Sequence, residues 1–371
     1  MSLFFLILIS IYVVFLFVSL IGFLFFNDKS NLKESLGNSN NKISVIIPFR
    51  NEALRINDLL NSLNNQIHTD IIKEVIFIDD HSTDDSCEII SSWINTSNLN
   101  CCLLYLKGKT GKKQAIHLGV NKATSNFILN IDADVCFSNS FFRNLCKEFK
   151  GKSDLYLVSV IDNTGIIWSK IESSIISVLT IGMANLKLPI LANGAALLFK
   201  RKKFIELNPF KSNYNISSGD DLFILESFRN NGLFIDTISP KHAFVFSKGA
   251  INSRGFIQRS IRWSGKMSKV KLPLTKFLGI IVTVVNLTII PFIFLIFFYF
   301  TKWMIVYLLA KLISDLFIAL FSAKYYNNSK LFFYSFPMFF LYPLYISIVM
   351  VLLFVNYPTH WKGRLVLNSN N

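Results

Sequence analysis

The sequence has little charge. Charged residues make up 16% of its 371 residues, whereas a soluble globular domain usually has roughly 25%. Hydrophobic residues make up 52% of the chain, and its mean hydropathy is +0.44. A disordered protein, which is rich in charge and poor in apolar residues, is therefore excluded, and a wholly soluble enzyme is disfavoured.

Formal charge is missing altogether from two stretches, residues 1–26 and residues 277–300. The middle of the chain, residues 42–276, has an ordinary composition and is long enough for one large domain with a hydrophobic core. This distribution indicates a globular protein that is held at a membrane by both of its ends.

The chain also lacks paired cysteines. It has five cysteines, and none of them forms a CxxC pair, so the spacing does not indicate a zinc site. A secreted domain of this size would more often carry an even set of cysteines in disulfides. The cysteine content therefore favours a reduced, cytosolic environment.

The first apolar stretch, residues 3–26, is long enough to cross a hydrocarbon core of about 30 Å as a helix. A cleaved signal peptide would begin with basic residues and end at a small-residue cleavage site, and neither feature is present. We therefore expect a retained transmembrane anchor over residues 1–27. Lys29 and Lys33 follow it in a linker, residues 28–42, and place that side of the membrane in the cytosol.

The C-terminal region, residues 277–356, is predicted to hold membrane segments. It contains apolar stretches at about 277–300, 303–323 and 331–356. Lys311 and Asp315 lie four residues apart in the second stretch, so they share a helix face and are placed to pair inside a bundle. Pro337 and Pro343 in the third stretch predict kinks or a re-entrant path.

The tail, residues 357–371, leaves the number of C-terminal spans open between two and three. Three spans would place Lys362 and Arg364 outside, against the positive-inside tendency. Two spans and one interfacial segment would keep both residues in the cytosol.

A basic segment, residues 241–276, precedes the C-terminal stretches. It holds nine basic residues and no acidic one, which suits an interfacial segment on the anionic cytoplasmic leaflet. A nucleic-acid face is the competing interpretation. Because the run abuts a membrane helix, we expect the membrane as a partner and no nucleic acid.

Residues 43–240 have the pattern of an α/β domain. Apolar runs at 43–48, 74–78 and 126–131 predict buried strands, and stretches with helical periodicity separate them. Strands that alternate with helices predict a mostly parallel sheet covered by helices. Ligands bind beyond the carboxyl ends of such strands, and acidic residues follow the second and third of these runs.

A glycine-rich phosphate-binding loop is also missing. The turn after the first strand reads PFRNEA and contains no glycine, and the chain has no P-loop. A divalent cation held by carboxylates is the remaining way to hold phosphates. Asp132 and Asp134 are the candidate ligands, since residues two apart at a strand end point the same way. A turn cap is the alternative for so short a motif.

Six motifs, in this order and spacing, resemble family 2 glycosyltransferases with the GT-A fold. They are SVIIPFRNE (44–52), IDDHSTDDS (78–86), GKKQAIHLGV (111–120), NIDADV (130–135), SGDDLF (218–223) and QRSIRW (258–263). The ending WKGR (361–364) is similar to that of membrane-bound bacterial members. The resemblance implies a mixed, mostly parallel sheet with flanking helices and transmembrane helices at both ends of the chain.

The resemblance also implies the roles of the donor-side residues. Asp80 would contact the base of the sugar nucleotide, and Lys112 would lie near the diphosphate, with an exposed lysine cluster as the alternative. Asp132 and Asp134 would bind a divalent cation, Mg²⁺ or Mn²⁺, with Asp132 also lying against the donor. The loop lining the nucleotide pocket would contribute Pro48, Arg50 and Glu52.

On the acceptor side, the resemblance implies that the second carboxylate of the Asp220–Asp221 pair is the general base. Asp221 is assigned this role, with Asp220 as the fallback; an acidic helix start is the alternative. Gln258, Arg262 and Trp263 match the QxxRW signature of the membrane-associated branch. Arginine suits the diphosphate and tryptophan suits a sugar face, while an amphipathic interfacial helix is the alternative.

Together these features predict a multi-pass, inverting glycosyltransferase of the cell (inner) membrane with a cytosolic catalytic domain. It would move a sugar from a UDP- or GDP-sugar to a lipid-linked or saccharide acceptor, in cell-envelope polysaccharide or glycolipid synthesis. The alternatives are a polyprenyl-phosphate or carotenoid/lipid glycosyl transferase and a degenerate, non-catalytic membrane scaffold. His81 departs from the family, which commonly has glycine there, and the small membrane part means that QxxRW does not establish polymer synthesis.

Overall fold

A computed structural model describes residues 2–26, 42–216, 218–238, 243–249, 252–267, 269–299, 301–361 and 364–366. The predicted linker therefore lies almost wholly outside the described residues, as does Lys362 in the predicted tail.

The described residues form helices and strands that alternate through the middle of the chain. The helices are α1 (Ser2–Phe26), α2 (Ile56–Asn64), α3 (Ser86–Thr96), α4 (Lys112–Lys122), α5 (Phe141–Glu148), α6 (Ile167–Asn185), α7 (Arg201–Leu207), α8 (Asp220–Asn230), α9 (Ser253–Met267), α10 (Pro273–Ile296), α11 (Lys302–Tyr325) and α12 (Lys330–Phe354). The strands are β1 (Ile43–Phe49), β2 (Ile72–Asp79), β3 (Cys101–Tyr105), β4 (Phe127–Ile131), β5 (Val135–Cys136), β6 (Leu155–Leu157), β7 (Ser159–Asp162), β8 (Ala196–Lys200), β9 (Ile235–Thr237), β10 (Phe244–Ser247), β11 (Thr359–Trp361) and β12 (Arg364–Val366).

The main sheet has seven strands in the order β3-β2-β1-β4-β8-β6-β9. Neighbouring strands are parallel except where β8 pairs with β4 and with β6. Successive residues of β1 alternate between the two faces, so Ile46 packs with Ile116 of α4, while Ile47 packs in a second core with Leu59 of α2. The predicted α/β fold with a mixed, mostly parallel sheet and flanking helices is confirmed.

A smaller sheet has the order β5-β10-β7. Strand β10 runs parallel to β7 and antiparallel to β5, so residues 244–247 pair with two strands from the α/β region before residue 240. The domain boundary at residue 240, followed by a basic interfacial segment over residues 241–276, stays a prediction.

The N-terminal helix packs directly on a helix of the catalytic domain, α6. A Cβ added to Gly182 would lie 1.9 Å from the carbonyl oxygen of Ser19, and one added to Gly22 would lie 2.2 Å from the carbonyl oxygen of Gly182. Asn185 also donates a hydrogen bond to the carbonyl oxygen of Gly22 at 3.1 Å. The predicted anchor is therefore docked on the catalytic domain, because two glycines let the helix backbones meet.

Five helices in the described part of the chain are long and apolar enough to cross a membrane: α1, α6, α10, α11 and α12. The sequence analysis did not identify α6, which is shorter and more than half buried. Helix α12 continues through Pro337 and Pro343 without a break, so the re-entrant path is not seen. Lys311 and Asp315 do pair, and the Tyr12 hydroxyl donates to Asp315 at 2.6 Å.

Candidate active site

The predicted site residues surround one cavity beyond the carboxyl ends of β1, β2 and β4. Its volume is about 450 Å³. Its lining includes every residue for which the sequence predicts a site role: Pro48, Arg50, Glu52, Asp80, Lys112, Asp132, Asp134, Asp220, Asp221, Gln258, Arg262 and Trp263. Their roles stay predictions, but the fold brings all of them together from six separate segments.

Asp80, at the end of β2, is almost fully buried and held on both carboxylate oxygens. Oδ1 accepts a hydrogen bond from the backbone N–H of Gly111 at 3.0 Å, and Oδ2 lies 2.7 Å from Nη1 of Arg364. The Arg50 guanidinium donates to the carbonyl oxygens of Asp80 and His81 at 2.7 and 2.6 Å. His81 has a φ of +58°, a left-handed conformation that favours glycine, which accounts for the glycine common at this position in the family.

Glu52 lies in the turn that leads into α2. Its carbonyl oxygen accepts the N–H groups of Arg55 and Ile56 at 2.8 and 2.9 Å. Its own N–H donates to the Ser86 hydroxyl at 2.7 Å. The loop is therefore fixed to the start of α3 as well as to α2, although it contains no glycine.

Lys112, the first residue of α4, joins the two acidic motifs. Its ammonium lies 2.6 Å from Oδ1 of Asp132 and 2.9 Å from Oδ2 of Asp220. Burial lowers the pKa of Lys112, but the two carboxylates outweigh it and raise that pKa above its ordinary value. A Cβ on Gly194 would lie 2.8 Å from Asp220 Oδ2 and 3.2 Å from Lys112 Nζ, so a larger residue there would push this ion pair aside. The alternative of an exposed lysine cluster does not describe Lys112.

Asp132 and Asp134 offer oxygen ligands at one edge of the cavity. Asp134 lies 3.4 Å from the Arg55 guanidinium, and the side chains of Asp132 and Asp134 are 29% and 20% exposed. Within the described residues, no group of three or more His, Cys, Asp or Glu side chains is suited to hold a metal. Two hard carboxylates that leave the other positions to substrate phosphate and water fit Mg²⁺ or Mn²⁺.

Asp220 and Asp221 begin α8, after Gly219 with a φ of +85°. Lys266 of α9 lies 2.9 and 3.1 Å from the two carboxylate oxygens of Asp221. Burial raises the pKa of Asp220, whereas the Lys112 ammonium lowers it, and the net pKa lies below the ordinary value. The Asp220 carboxylate is therefore charged at neutral pH, and the two carboxylates are held by different lysines.

Helix α9 presents the QxxRW residues to the cavity, with Gln258, Arg262 and Trp263 on the lining. Burial lowers the pKa of Arg262 to about 10, so the guanidinium stays charged at neutral pH. Sequence reasoning missed two further residues of this helix. The Arg259 guanidinium lies 5.0 Å from the centre of the Trp263 ring, and the Lys266 ammonium lies 5.6 Å from it.

Arg259 is also tied to the catalytic sheet. Nη1 lies 2.8 Å from Asp162 Oδ2, and Nη2 donates to the Ser169 hydroxyl at 2.6 Å. In the sequence, Arg259 and Lys266 stand four residues before and three residues after Trp263. That spacing places all three on one helix face and is the signal that could have found them.

Arg364 is the third residue that was missed as a site residue. Its contact with Asp80 joins positions 284 residues apart, and the WKGR ending (361–364) is the signal that could have found it. The strand pair β11–β12, after α12, brings it back to the cavity.

Comparison with known proteins agrees with this geometry. The family described as Glycosyl transferase family 2 matches residues 44–206. A 4,4'-diaponeurosporenoate glycosyltransferase of Staphylococcus aureus (strain USA300) is 37% identical over 118 residues, which are 31% of this chain and 30% of that protein. The matched part thus spans less than a third of the relative's own length.

A solved structure extends the likeness to the whole fold. The mannosyltransferase PcManGT from Pyrobaculum calidifontis, determined in complex with GDP-Man and Mn²⁺, superposes with a TM-score of 0.55 at 16% sequence identity. The match covers 94% of this chain and 99% of that one. Residues 44–206, which are less than half of the chain, therefore match glycosyl transferase family 2, and the fold of the described residues is GT-A-like.

Proposed function

We propose that this protein is a membrane-bound, inverting glycosyltransferase that moves a sugar from a nucleoside-diphosphate sugar to an acceptor at the cytosolic face of the cell membrane. One observation carries the proposal. The nucleotide-side carboxylate Asp80, the DxD pair, the Asp220–Asp221 pair and the QxxRW helix all line a single cavity.

The residues divide the reaction between them. Asp80 and the loop at Pro48, Arg50 and Glu52 hold the nucleoside, while Lys112 and Arg262 place positive charge beside the diphosphate. Asp132 and Asp134 would hold a divalent cation, which supplies further charge to stabilise the departing diphosphate. The donor sugar then lies between the diphosphate side and α8.

Asp221 is the group we assign to the acceptor. Its carboxylate takes the proton of the acceptor hydroxyl as that oxygen attacks the anomeric carbon opposite the leaving diphosphate, which inverts the configuration. Lys266 lies against Asp221 and orients its carboxylate. Asp220, turned toward Lys112, is the fallback.

The contacts at the ends of the membrane helices support a specific topology. Thr275, at the start of α10, donates to the carbonyl oxygen of Ile190, and Tyr326, just after α11, donates to the Ser177 hydroxyl, both at 2.8 Å. The start of α10 and the end of α11 therefore both meet the catalytic domain. We propose that α10 and α11 cross the membrane as a pair.

Helix α12 then lies along the membrane surface. It begins on the catalytic side, and Arg364, beyond its end, contacts Asp80. Between them, Tyr342 of α12 donates to Glu172 at 3.4 Å and Tyr345 stacks on Phe256 of α9. These contacts support two spans and one interfacial segment over three spans, an arrangement that would keep the tail in the cytosol with the nucleotide pocket.

A lipid-linked acceptor fits this arrangement, because the QxxRW helix and α12 hold the cavity at the bilayer surface. The carotenoid/lipid and polyprenyl-phosphate alternatives are both lipid acceptors of this kind. A degenerate scaffold is disfavoured, since every carboxylate that the reaction needs is present and faces the cavity.

A donor screen tests the activity. The purified protein in lipid bilayers would be given each common UDP- and GDP-sugar with membrane lipids, and nucleoside diphosphate release and labelled lipid would be measured. We expect one donor to support acceptor-dependent release. Asp236→Asn, a change at a half-buried carboxylate paired with Lys187, serves as the control and should match the wild type. If no donor supports acceptor-dependent release of nucleoside diphosphate, the proposed activity is wrong.

Cysteine labelling tests the topology. A cysteine placed in residues 31–41 and another placed after Val366 should both resist an impermeant reagent in intact cells and react in inverted vesicles. If only the tail cysteine is labelled in intact cells, the C-terminal region has three spans instead of two.

A further inference from the structure

A second lysine follows Lys112 and is buried without a role in the proposed reaction. The side chain of Lys113 is 5% exposed, although the sequence places it in a run of lysines that would be expected at the surface. A buried ammonium is costly unless hydrogen bonds satisfy it. Its partners therefore indicate what it does.

Those partners lie in the segment that leads to the catalytic carboxylates. The Lys113 ammonium donates to the carbonyl oxygens of Asn213 and Ile216 at 2.7 and 2.8 Å. It also lies 4.4 Å from the centre of the Phe223 ring in α8. One cation thus contacts the chain on both sides of Gly219, Asp220 and Asp221.

Lys112 and Lys113 are consecutive in α4 and hold different parts of the site. Lys112 holds the carboxylates of Asp132 and Asp220, and the next residue holds the backbone that carries Asp220 and Asp221. The first turn of α4 therefore sets the distance between the diphosphate side and the base. An apolar side chain would fill the same space, but it would leave two carbonyl oxygens without this donor.

We propose that Lys113 is a positioning residue for the reaction: it fixes residues 213–216 and 218–223 so that the Asp221 carboxylate stands at the acceptor hydroxyl. This inference rests on the proposed function, since it assigns a task within the same site. Lys113 acts through the loop and touches neither the donor nor the acceptor.

The charge of Lys113 is sensitive to pH. Burial lowers its pKa to about 8, although Asp220 and Asp221 oppose the shift and Lys266 adds to it. Lys113 is protonated below that pH and loses its proton as the pH rises through about 8, which removes the cation that holds the carbonyl oxygens and the Phe223 ring. Turnover should fall over this range.

The test compares Lys113→Met and Lys113→Arg with Lys122→Met, an exposed lysine at the other end of α4. Turnover, donor affinity by titration and hydrogen exchange of residues 208–223 would be measured for each full-length variant in lipid bilayers. We expect Lys113→Met to lose roughly 10²-fold in kcat, since a misplacement of about 1 Å has effects of that size. Its donor affinity should stay within about twofold, because the loop does not carry the nucleotide contacts.

Hydrogen exchange and the pH profile separate positioning from a merely structural role. Exchange in residues 208–223 should become faster in Lys113→Met and stay unchanged in Lys122→Met. Lys113→Arg should recover part of the turnover and carry the alkaline decline to higher pH, because arginine stays charged. If Lys113→Met does not fold, the turnover and pH profile of Lys113→Arg still test whether Lys113 is a positioning residue.

Three outcomes would overturn the inference: turnover of Lys113→Met within twofold of the wild type, unchanged exchange in residues 208–223, or an equal loss of donor affinity and turnover. The proposed function fails separately. If the wild type transfers no sugar from any donor, the exchange comparison still shows whether Lys113 holds this segment.

Discussion

The two walls of the cavity are built in different ways. The donor wall consists of residues at the ends of strands, Asp80 after β2 and Asp132 after β4, and the register of the sheet sets their places. The acceptor wall consists of helix residues, and ion pairs between distant elements hold it: Lys266 with Asp221, and Arg259 with Asp162.

This difference has a consequence for function. On the donor wall the backbone is fixed, so a substitution there removes a chemical group and leaves the geometry intact. On the acceptor wall a substitution can also move the neighbouring residues, because ion pairs between side chains hold this wall in place. Substitutions on the two walls should therefore give different patterns of kcat, KM and donor affinity.

The largest effect is expected on the donor wall, at the DxD pair. Asp134→Asn removes a charged ligand and should reduce transfer by more than about 10²-fold, since even groups behind a metal ligand are worth about 10–100-fold. Chelation of the wild type should have the same effect. The measurement is transfer rate beside the melting temperature, which should hardly change. Full activity in excess EDTA would contradict a divalent cation.

The general base on the acceptor wall comes next. Asp221→Asn should lose transfer by about 10²–10⁴-fold, the usual worth of general-base catalysis, and should keep donor affinity. Asp220→Asn is the matched neighbour and should be milder, because it acts through Lys112. Transfer rates and donor titrations of both variants decide the assignment. A dead Asp220→Asn beside an active Asp221→Asn would reverse it.

The side-chain contacts that hold the acceptor wall in place are tested at Arg259. Arg259→Gln removes the cation over Trp263, and cation–π contacts are worth up to about 2 kcal/mol when desolvated. We expect the acceptor KM to rise about tenfold while donor affinity stays the same. Arg254→Gln, in the first turn of the same helix, is the control. A change in donor affinity instead of acceptor KM would mean that the two walls are not separate.

The smallest effect is expected at Arg364, where the tail meets the donor wall. Arg364 is only partly exposed, but Asp80 keeps its hydrogen bond from Gly111. With a hydrogen bond worth about 0.5–1 kcal/mol, Arg364→Gln should change donor affinity by only about two- to fivefold and leave the acceptor KM alone. Arg143→Gln, at an exposed position of α5, is the control. An effect as large as that at Asp134 would make the tail an essential part of the donor wall.

Much of the fold was predictable because it depends on residues that are close together in the sequence. The unbroken apolar run of β1 and the acidic residues at the ends of β2 and β4 predicted the sheet and the edge at which ligands bind. Every site residue that the motifs predicted lines the cavity, although Arg259 and Lys266 also line it and were missed. The helix α6 was missed, because polar and small residues such as Ser177 and Gly182 interrupt its apolar face.

By itself, the sequence determined the class of the protein, the residues with candidate chemistry and the presence of apolar segments at both ends. These depend on residue type and on short-range periodicity, which any chain displays without folding. Only the tertiary structure decided that Gly22 meets Gly182, that Lys113 is buried under the Asp220–Asp221 loop and that Arg364 returns to Asp80. Each of these joins residues far apart in the chain, and such contacts form only where the packing of whole elements places the two partners side by side.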